Sequence, residues 1–428
     1  MQRSQLVRPA AMFWGLTVFM PVGVPYLAAL LLLMALLIGG GLRERARRLR
    51  ANALFWPVTL YVAWTLVILA IEPVYPQTPS NLVHGLRIAA TVFMALALTR
   101  EEAVWALRGF LAMALFNILL IGAFWIAVWQ RAYFPVLEVW RGVIFLVGNK
   151  SISNALLFTI LGATAAVFGL QALSEHRPLR ALLALALVVV VAVLITFSLP
   201  SRTSLLALLL ALPAACLHQW RRQLKVLALA IVAGGAIVAV VLWNLPAVQR
   251  KFELGVQELE AAQQGAVSEG SWVVRYYMYR DTGRMILDKP LTGWGIGGWT
   301  EQWHLRGPKL LADYNMPHND FLWMGSQAGI PGALSLLAIM LTGLWVAWRR
   351  DDLYGRYAFA AQLIALVATN ANSALRDAQI GLSLLWVSTI YLRLAQEPGD
   401  SWRGLLPRRG AAPALGGDAS SHRQREKV

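Results

Sequence analysis

Two short segments carry residue types that can do chemistry at a membrane surface. Arg202 lies in Phe197-Ser-Leu-Pro-Ser-Arg-Thr-Ser, a brief turn between two strongly apolar stretches. His318 lies in Met316-Pro-His-Asn-Asp-Phe-Leu-Trp, where a long polar segment returns to an apolar run. A guanidinium grips an oxyanion through a two-pronged fork. An imidazole, with an ordinary pKa near 6.5, can take a proton at neutral pH. Arg87, Arg141, Lys150, Arg275, Arg280, Arg284 and Arg376 are further cations on the side that Arg202 and His318 share. Charge at the edge of a bilayer is costly, which makes each of them a functional candidate. Each also has a structural account. Arg87 and Arg141 could snorkel, Arg202 could cap a helix start, and Arg280 and Arg284, spaced i,i+4, could form a solvated helix face. His318 could be a hydrogen-bonded interfacial histidine.

Other chemistries lack their residues. No Gly-Lys-Ser/Thr phosphate loop and no His-Glu-x-x-His occurs. Gly293-Trp-Gly-Ile-Gly-Gly follows a proline-bounded turn rather than a strand, so it is not a dinucleotide fingerprint. Asp313 and Asp320 flank His318 but make a weak metal signal. The single cysteine, Cys216, excludes an internal disulfide and any multi-cysteine centre. Trp294, Trp299 and Trp303 could stack on sugars, while most of the 18 tryptophans fit an interfacial belt.

The elements that must position these residues are membrane helices. Of 428 residues, 58% are apolar and 14% charged, against about 25% charged in ordinary soluble proteins. Such a chain cannot cover a water-soluble surface. Apolar segments near 10–21, 24–41, 53–71, 81–98, 103–128, 152–172, 179–198, 203–218, 224–243, 321–348, 355–371 and 379–395 predict an all-α polytopic membrane protein of about 12 spans, or eleven if the first, broken by Pro21 and Pro25, is re-entrant. With the N-terminus in the cytoplasm, the inner segments hold 24 of the 38 Lys and Arg and 10 of the 22 Asp and Glu. Nearly all of the +16 net charge is then the positive-inside signal, and nucleic acid is not an expected partner. Both termini are expected in the cytoplasm, with no cleaved signal peptide.

The organisation expected is spans 1–9 over 1–243, an outer loop over 244–320, spans 10–12 over 321–395, and a disordered cytoplasmic tail over 396–428. The loop opens with an amphipathic stripe of Val248, Phe252, Val256 and Leu259. Ser271 is expected to N-cap a second helix, from Trp272 to about Leu287, that ends before Pro290.

These residues resemble the O-antigen ligase and polymerase superfamily of bacterial envelope glycosyltransferases. Ser201-Arg202 resembles its Ser-Arg turn. Arg275, followed by Pro290-Leu-Thr-Gly-Trp-Gly-Ile-Gly, resembles its Arg…Pro-Leu-x-Gly-x-Gly signature. His318-Asn319-x-Phe-Leu and Gly329-Ile-Pro-Gly resemble its His-Asn-x-x-Leu…Gly-x-x-Gly. Gly148-Asn-Lys150 and Asn154 resemble a weaker motif. Gln327 stands where many members carry an acid.

The resemblance implies transfer of O-antigen polysaccharide from undecaprenyl diphosphate to a hydroxyl of lipid A–core, at the periplasmic face of the inner membrane. It implies His318 as general base, with His304 as the fallback. Arg202 and Arg275 would hold the diphosphate, helped by Lys150, Arg141 and Arg284. Arg280, Asn319 and Arg376 would support them. The transfer would invert the anomeric centre and need no cofactor and no metal. A polymerase or a protein O-oligosaccharyltransferase would share these motifs. A flippase, from a different class, would instead place charge at mid-membrane in many spans.

Overall fold

The computed structural model describes residues 6–131, 134–142, 150–221 and 246–396, with isolated positions between 222 and 245. Among these residues the fold is helical, without strands. The first seven helices are α1 (Val7–Thr17), α2 (Gly23–Ile38), α3 (Leu42–Arg50), α4 (Phe55–Ile71), α5 (Thr78–Ala97), α6 (Arg100–Trp129) and α7 (Pro135–Arg141). Then come α8 (Lys150–Ser174), α9 (Pro178–Val193), α10 (Arg202–Trp220), α11 (Pro246–Gln263) and α12 (Ser271–Asp288). The last four are α13 (Gly298–Arg306), α14 (Asp320–Trp348), α15 (Leu353–Asn372) and α16 (Ala378–Ala395).

Seven of these helices are long and apolar enough to cross a membrane, or eight if α2 and α3, bent by 112°, are one span. The protein is a multi-pass membrane protein. The expected twelve include 224–243, which lies outside the described residues, as does the tail from 397. They also include two short helices, α1 with 11 residues and α4 with 17, and the expected span 355–371, whose helix α15 is not among those long and apolar enough to cross.

Polar side chains set where helices begin. Thr99 and Glu102 form a reciprocal capping box on α6. Asp352 caps α15, and Asp377 caps α16. Small residues set how closely helices approach. A Cβ at Gly109 of α6 would stand 2.2 Å from the Met12 carbonyl oxygen, so α1 and α6 cross with backbones in contact. α16 runs through the centre, with the Trp386 ring stacked 3.8 Å from Trp14. This helix is buried on nearly every side although it carries polar residues, and these find partners: Ser383 Oγ donates to the Val18 carbonyl and Arg393 Nε to that of Leu98.

One end of the bundle is tied by Arg8–Glu101, by the buried Arg45–Glu102 pair and by Arg221–Asp351. The segments expected on one side therefore do meet. At the opposite end, α11 to α13 form a separate layer with its own core of Val273, Val274, Tyr277, Met278, Met285, Trp299, Trp303 and Leu311. The sequence predicted two helices here; α13 is a third.

Candidate active site

Arg202 stands on the first residue of α10. The chain reaches it through a π-helical turn at Leu194–Ser198, after which the Ser201 hydroxyl caps α10 by accepting from Ser204 N. Arg275 stands on α12, in a different layer. The two meet at one hydroxyl: Ser271 Oγ accepts from Arg275 Nη1 at 2.8 Å and from Arg202 Nη1 at 3.4 Å. Gly270, not Ser271, is the N-cap of α12. The Ser271 side chain is turned away from the backbone amides it was expected to cap, and it aligns the two guanidinium groups. Arg202 is exposed and Arg275 half-buried, so the pair is open to an anionic ligand.

His318 lies just before α14 with φ of 55°, a left-handed conformation uncommon outside glycine. Asn319 caps α14 by accepting from Phe321 N and Leu322 N. The Tyr279 hydroxyl donates to the His318 carbonyl at 3.3 Å and to that of Asn370 at 3.1 Å, which pins the loop to α12 and α15. The imidazole Nδ1 is buried without a hydrogen-bond partner. Burial first, and then the positive charge of Arg275, lower its pKa to about 4, with a smaller push from Arg376; a hydrogen bond that the ring donates to Asn372 opposes them. The ring is therefore neutral at pH 7 and holds a lone pair available to a proton.

The turn after α15 forms the third wall. Asp320, fully buried, accepts from Leu375 N at 2.8 Å and Arg376 N at 3.0 Å. Arg87 Nη2 donates to the carbonyls of Leu375, Arg376 and Asp377. A carboxylate and a guanidinium thus clamp both sets of peptide groups in this turn. The clamp delivers Asn372 and Arg376 to His318, and Arg376 Nη1 reaches Asn315 Oδ1 at 3.2 Å. Sequence reasoning read Arg87 as a snorkelling candidate and did not single out Asn372. The polar run Asn370-Ala-Asn-Ser at the end of an apolar span was the available signal.

Two expected helpers face elsewhere. Arg280 makes a two-pronged bond to Asp281, at 2.7 and 2.9 Å, and lies over the Tyr277 ring. Arg284 is 3.6 Å from the same carboxylate. Arg141 ends α7 and Lys150 opens α8; their side chains lie outside the described residues. His304 is exposed on α13. Trp299 and Trp303 are not a sugar platform. They are buried and stacked on each other at 5.4 Å, with their indole N–H groups bonded to Thr282 and the Leu311 carbonyl. Trp294 is half-buried between the cations Lys289 and Arg306. Among the described residues no group of three His, Cys, Asp or Glu could hold a metal ion.

The glycine motifs join the loop 290–297 to α14. α14 breaks at Ala328 and Gly329, and Gly329 has φ 67° and ψ −177°, a conformation essentially confined to glycine. A broken helix frees peptide groups that must find partners in a membrane. Here the loop 290–297 supplies most of them. Trp294 N bonds Ser326 O, Gly295 N bonds Gln327 O and Ile330 N bonds Pro290 O. Trp64 Nε1 satisfies Ala328 O at 2.7 Å. The Gln327 side chain accepts from Gly297 N. Its Nε2 also donates to the Trp323 carbonyl at 3.3 Å, a bond that a carboxylate could not make.

A family model described as O-antigen ligase matches residues 185–337. A search of curated proteins finds none that matches the chain. The matched stretch contains the Arg202 turn, Arg275, the loop 290–297, His318 and the break at Gly329. Over these residues the chain is similar to the O-antigen ligase family, and the match supports a place in that superfamily.

Proposed function

We propose that the protein is an O-antigen ligase. It would move O-antigen polysaccharide from undecaprenyl diphosphate to a hydroxyl of lipid A–core at the periplasmic face of the inner membrane. The observation that carries this reading is the convergence of Arg202 and Arg275 on Ser271 Oγ, with Arg275 close enough to His318 to lower its pKa.

The chemistry follows from that arrangement. The acceptor oxygen attacks the anomeric carbon while the bond from that carbon to the phosphate oxygen breaks. The electron pair leaves with the diphosphate, whose negative charge grows as the bond breaks. Arginines aimed at its oxygens stabilise that transition state more than the ground state. His318 takes the proton that the acceptor hydroxyl loses. One displacement inverts the anomeric centre. The donor is already activated, so no nucleotide is needed, and the guanidinium groups supply the positive charge that a metal ion would otherwise bring.

The donor also tunes its own base. Burial, Arg275 and Arg376 hold His318 well below its ordinary range. An anionic diphosphate on Arg275 offsets part of that field, so the pKa rises when donor binds. The acid limb of kcat/KM, which reports free enzyme, is therefore expected near pH 4, and that of kcat at a higher pH. Arg376→Gln removes one positive charge and is expected to move the kcat/KM limb upward. A limb near 6.5 that the substitution leaves in place would contradict the assignment.

Deleting the gene and running the lipopolysaccharide on a gel tests the acceptor. Polymeric O-antigen held on its carrier, with bare lipid A–core, is the expected result. Single O-units on the core would mean a polymerase instead. Loss of carrier-linked sugar from the periplasm would mean a flippase.

A further inference from the structure

The layer of α11 to α13 carries large apolar side chains that its own core does not use. Leu287 is 76% exposed, Leu291 70% and Leu305 71%. Isolated exposed leucines are ordinary, but three that leave one corner of a fold mark a contact surface.

They do leave one corner. Arg306, at the end of α13, is ion-paired to Asp288, at the end of α12, so Leu305 and Leu287 each precede a member of that pair. Trp294 ties the same corner to α12 by donating to the Met285 carbonyl at 2.9 Å. Its ring lies 4.9 Å from the Lys289 ammonium and 4.6 Å from the Arg306 guanidinium. An indole between long cationic side chains is the composition of a membrane–water interface.

The corner is also continuous with the surface that α14 turns to lipid. Ile330 N bonds the Pro290 carbonyl at 2.7 Å. A Cβ on Gly329 would lie 2.2 Å from Leu291 O. Leu291 is therefore locked beside the start of the membrane-crossing half of α14, where Ile330 is 44% and Leu334 55% exposed. On the other side, Lys289 and Thr292 bond Glu72, just past the end of α4.

We propose that the α12–α13 corner is a membrane-docking surface, with Leu287, Leu291 and Leu305 inserted among the lipids of the adjoining leaflet and Lys289, Trp294 and Arg306 at headgroup depth. The segment is then a half-immersed strap rather than an aqueous loop. The strap sets the height of α12, and with it Arg275, relative to the lipid headgroups. Exposure and continuity with α14 define this surface, independently of the reaction proposed above.

Nitroxide labels on single cysteines, in a Cys216→Ala background, test it in phosphatidylcholine–phosphatidylglycerol vesicles. Labels at 287, 291 and 305 replace exposed side chains, so each is expected to leave the fold intact; circular dichroism checks this. Collision with oxygen and with a water-soluble nickel chelate reads their depth. The expected result is strong oxygen and weak nickel accessibility at all three positions, as at reference labels on Ile330 and Leu334, with the reverse at Gly265. Labels at 287 and 291 that behave like Gly265 would overturn the proposal. So would labels shielded from both reagents, since that pattern means a protein partner.

Discussion

Replacing His318 with alanine is expected to lower turnover by about 10² to 10⁴, the range a general base contributes, while donor binding stays near normal. Nδ1 has no partner inside the protein, so the hydrogen bond lost with the ring is the one to Asn372. The backbone there is left-handed, at φ 55°, and alanine bears that conformation at a cost of about 1–2 kcal/mol. His318→Asn is the matched control, because asparagine tolerates the same backbone but cannot serve as an imidazole base. Both variants should insert and stay monodisperse in detergent, and both should be slow. Wild-type turnover by either would make His318 a structural residue of the loop.

Gly329→Ala is expected to have the largest effect on the fold. Its Cβ would meet Leu291 O at 2.2 Å and Pro290 O at 2.7 Å, both backbone atoms that cannot swing aside. The φ of 67° adds backbone strain of about 1–3 kcal/mol. Relief requires the loop 290–297 to leave the break, which strips partners from Ser326 O, Gln327 O and Ile330 N. Each stripped group costs about 1–3 kcal/mol when buried. Thermal unfolding in detergent should show a large loss of Tm. Gly283→Ala is the comparison: its Cβ meets nothing within 4 Å, and alanine is favoured inside a helix by up to about 1 kcal/mol. Equal Tm for Gly329→Ala and wild type would mean that the break is not the rigid joint described.

How much of this the sequence revealed follows the range of each interaction. Long apolar runs dominate the local signal, so 103–128 and 379–395 were placed within a few residues of α6 and α16. α13 was missed because it follows three left-handed glycines and opens without a side-chain cap. The nature of Trp299 and Trp303 depends on which face of α13 meets α12, which composition does not encode. On an ideal helix Arg280 and Arg284 lie about 140° and 180° from Arg275. The structure gives the reason they turn away: Asp281 takes both. The Arg202–Arg275 pairing was expected from the family resemblance, but Ser271 as its meeting point was not, since serine before a helix reads as a cap. The clamp of Asp320 and Arg87 on the turn 375–377 joins residues 55 to 290 positions apart. Contacts at such separations leave no periodic trace.

The central claim is a directed guanidinium site that drives transfer from a carrier diphosphate. Its most direct test is product formation by the purified protein from undecaprenyl-diphosphate-linked O-polysaccharide and lipid A–core. Wild type, Arg202→Lys and Arg275→Lys would each be measured with and without a metal chelator. The account predicts transfer by wild type that chelator does not affect, and a large loss of rate in both lysine variants, because an ammonium keeps the charge but not the two-pronged grip. Lysine variants that match wild type, or activity that vanishes with chelator and returns with magnesium, would contradict it.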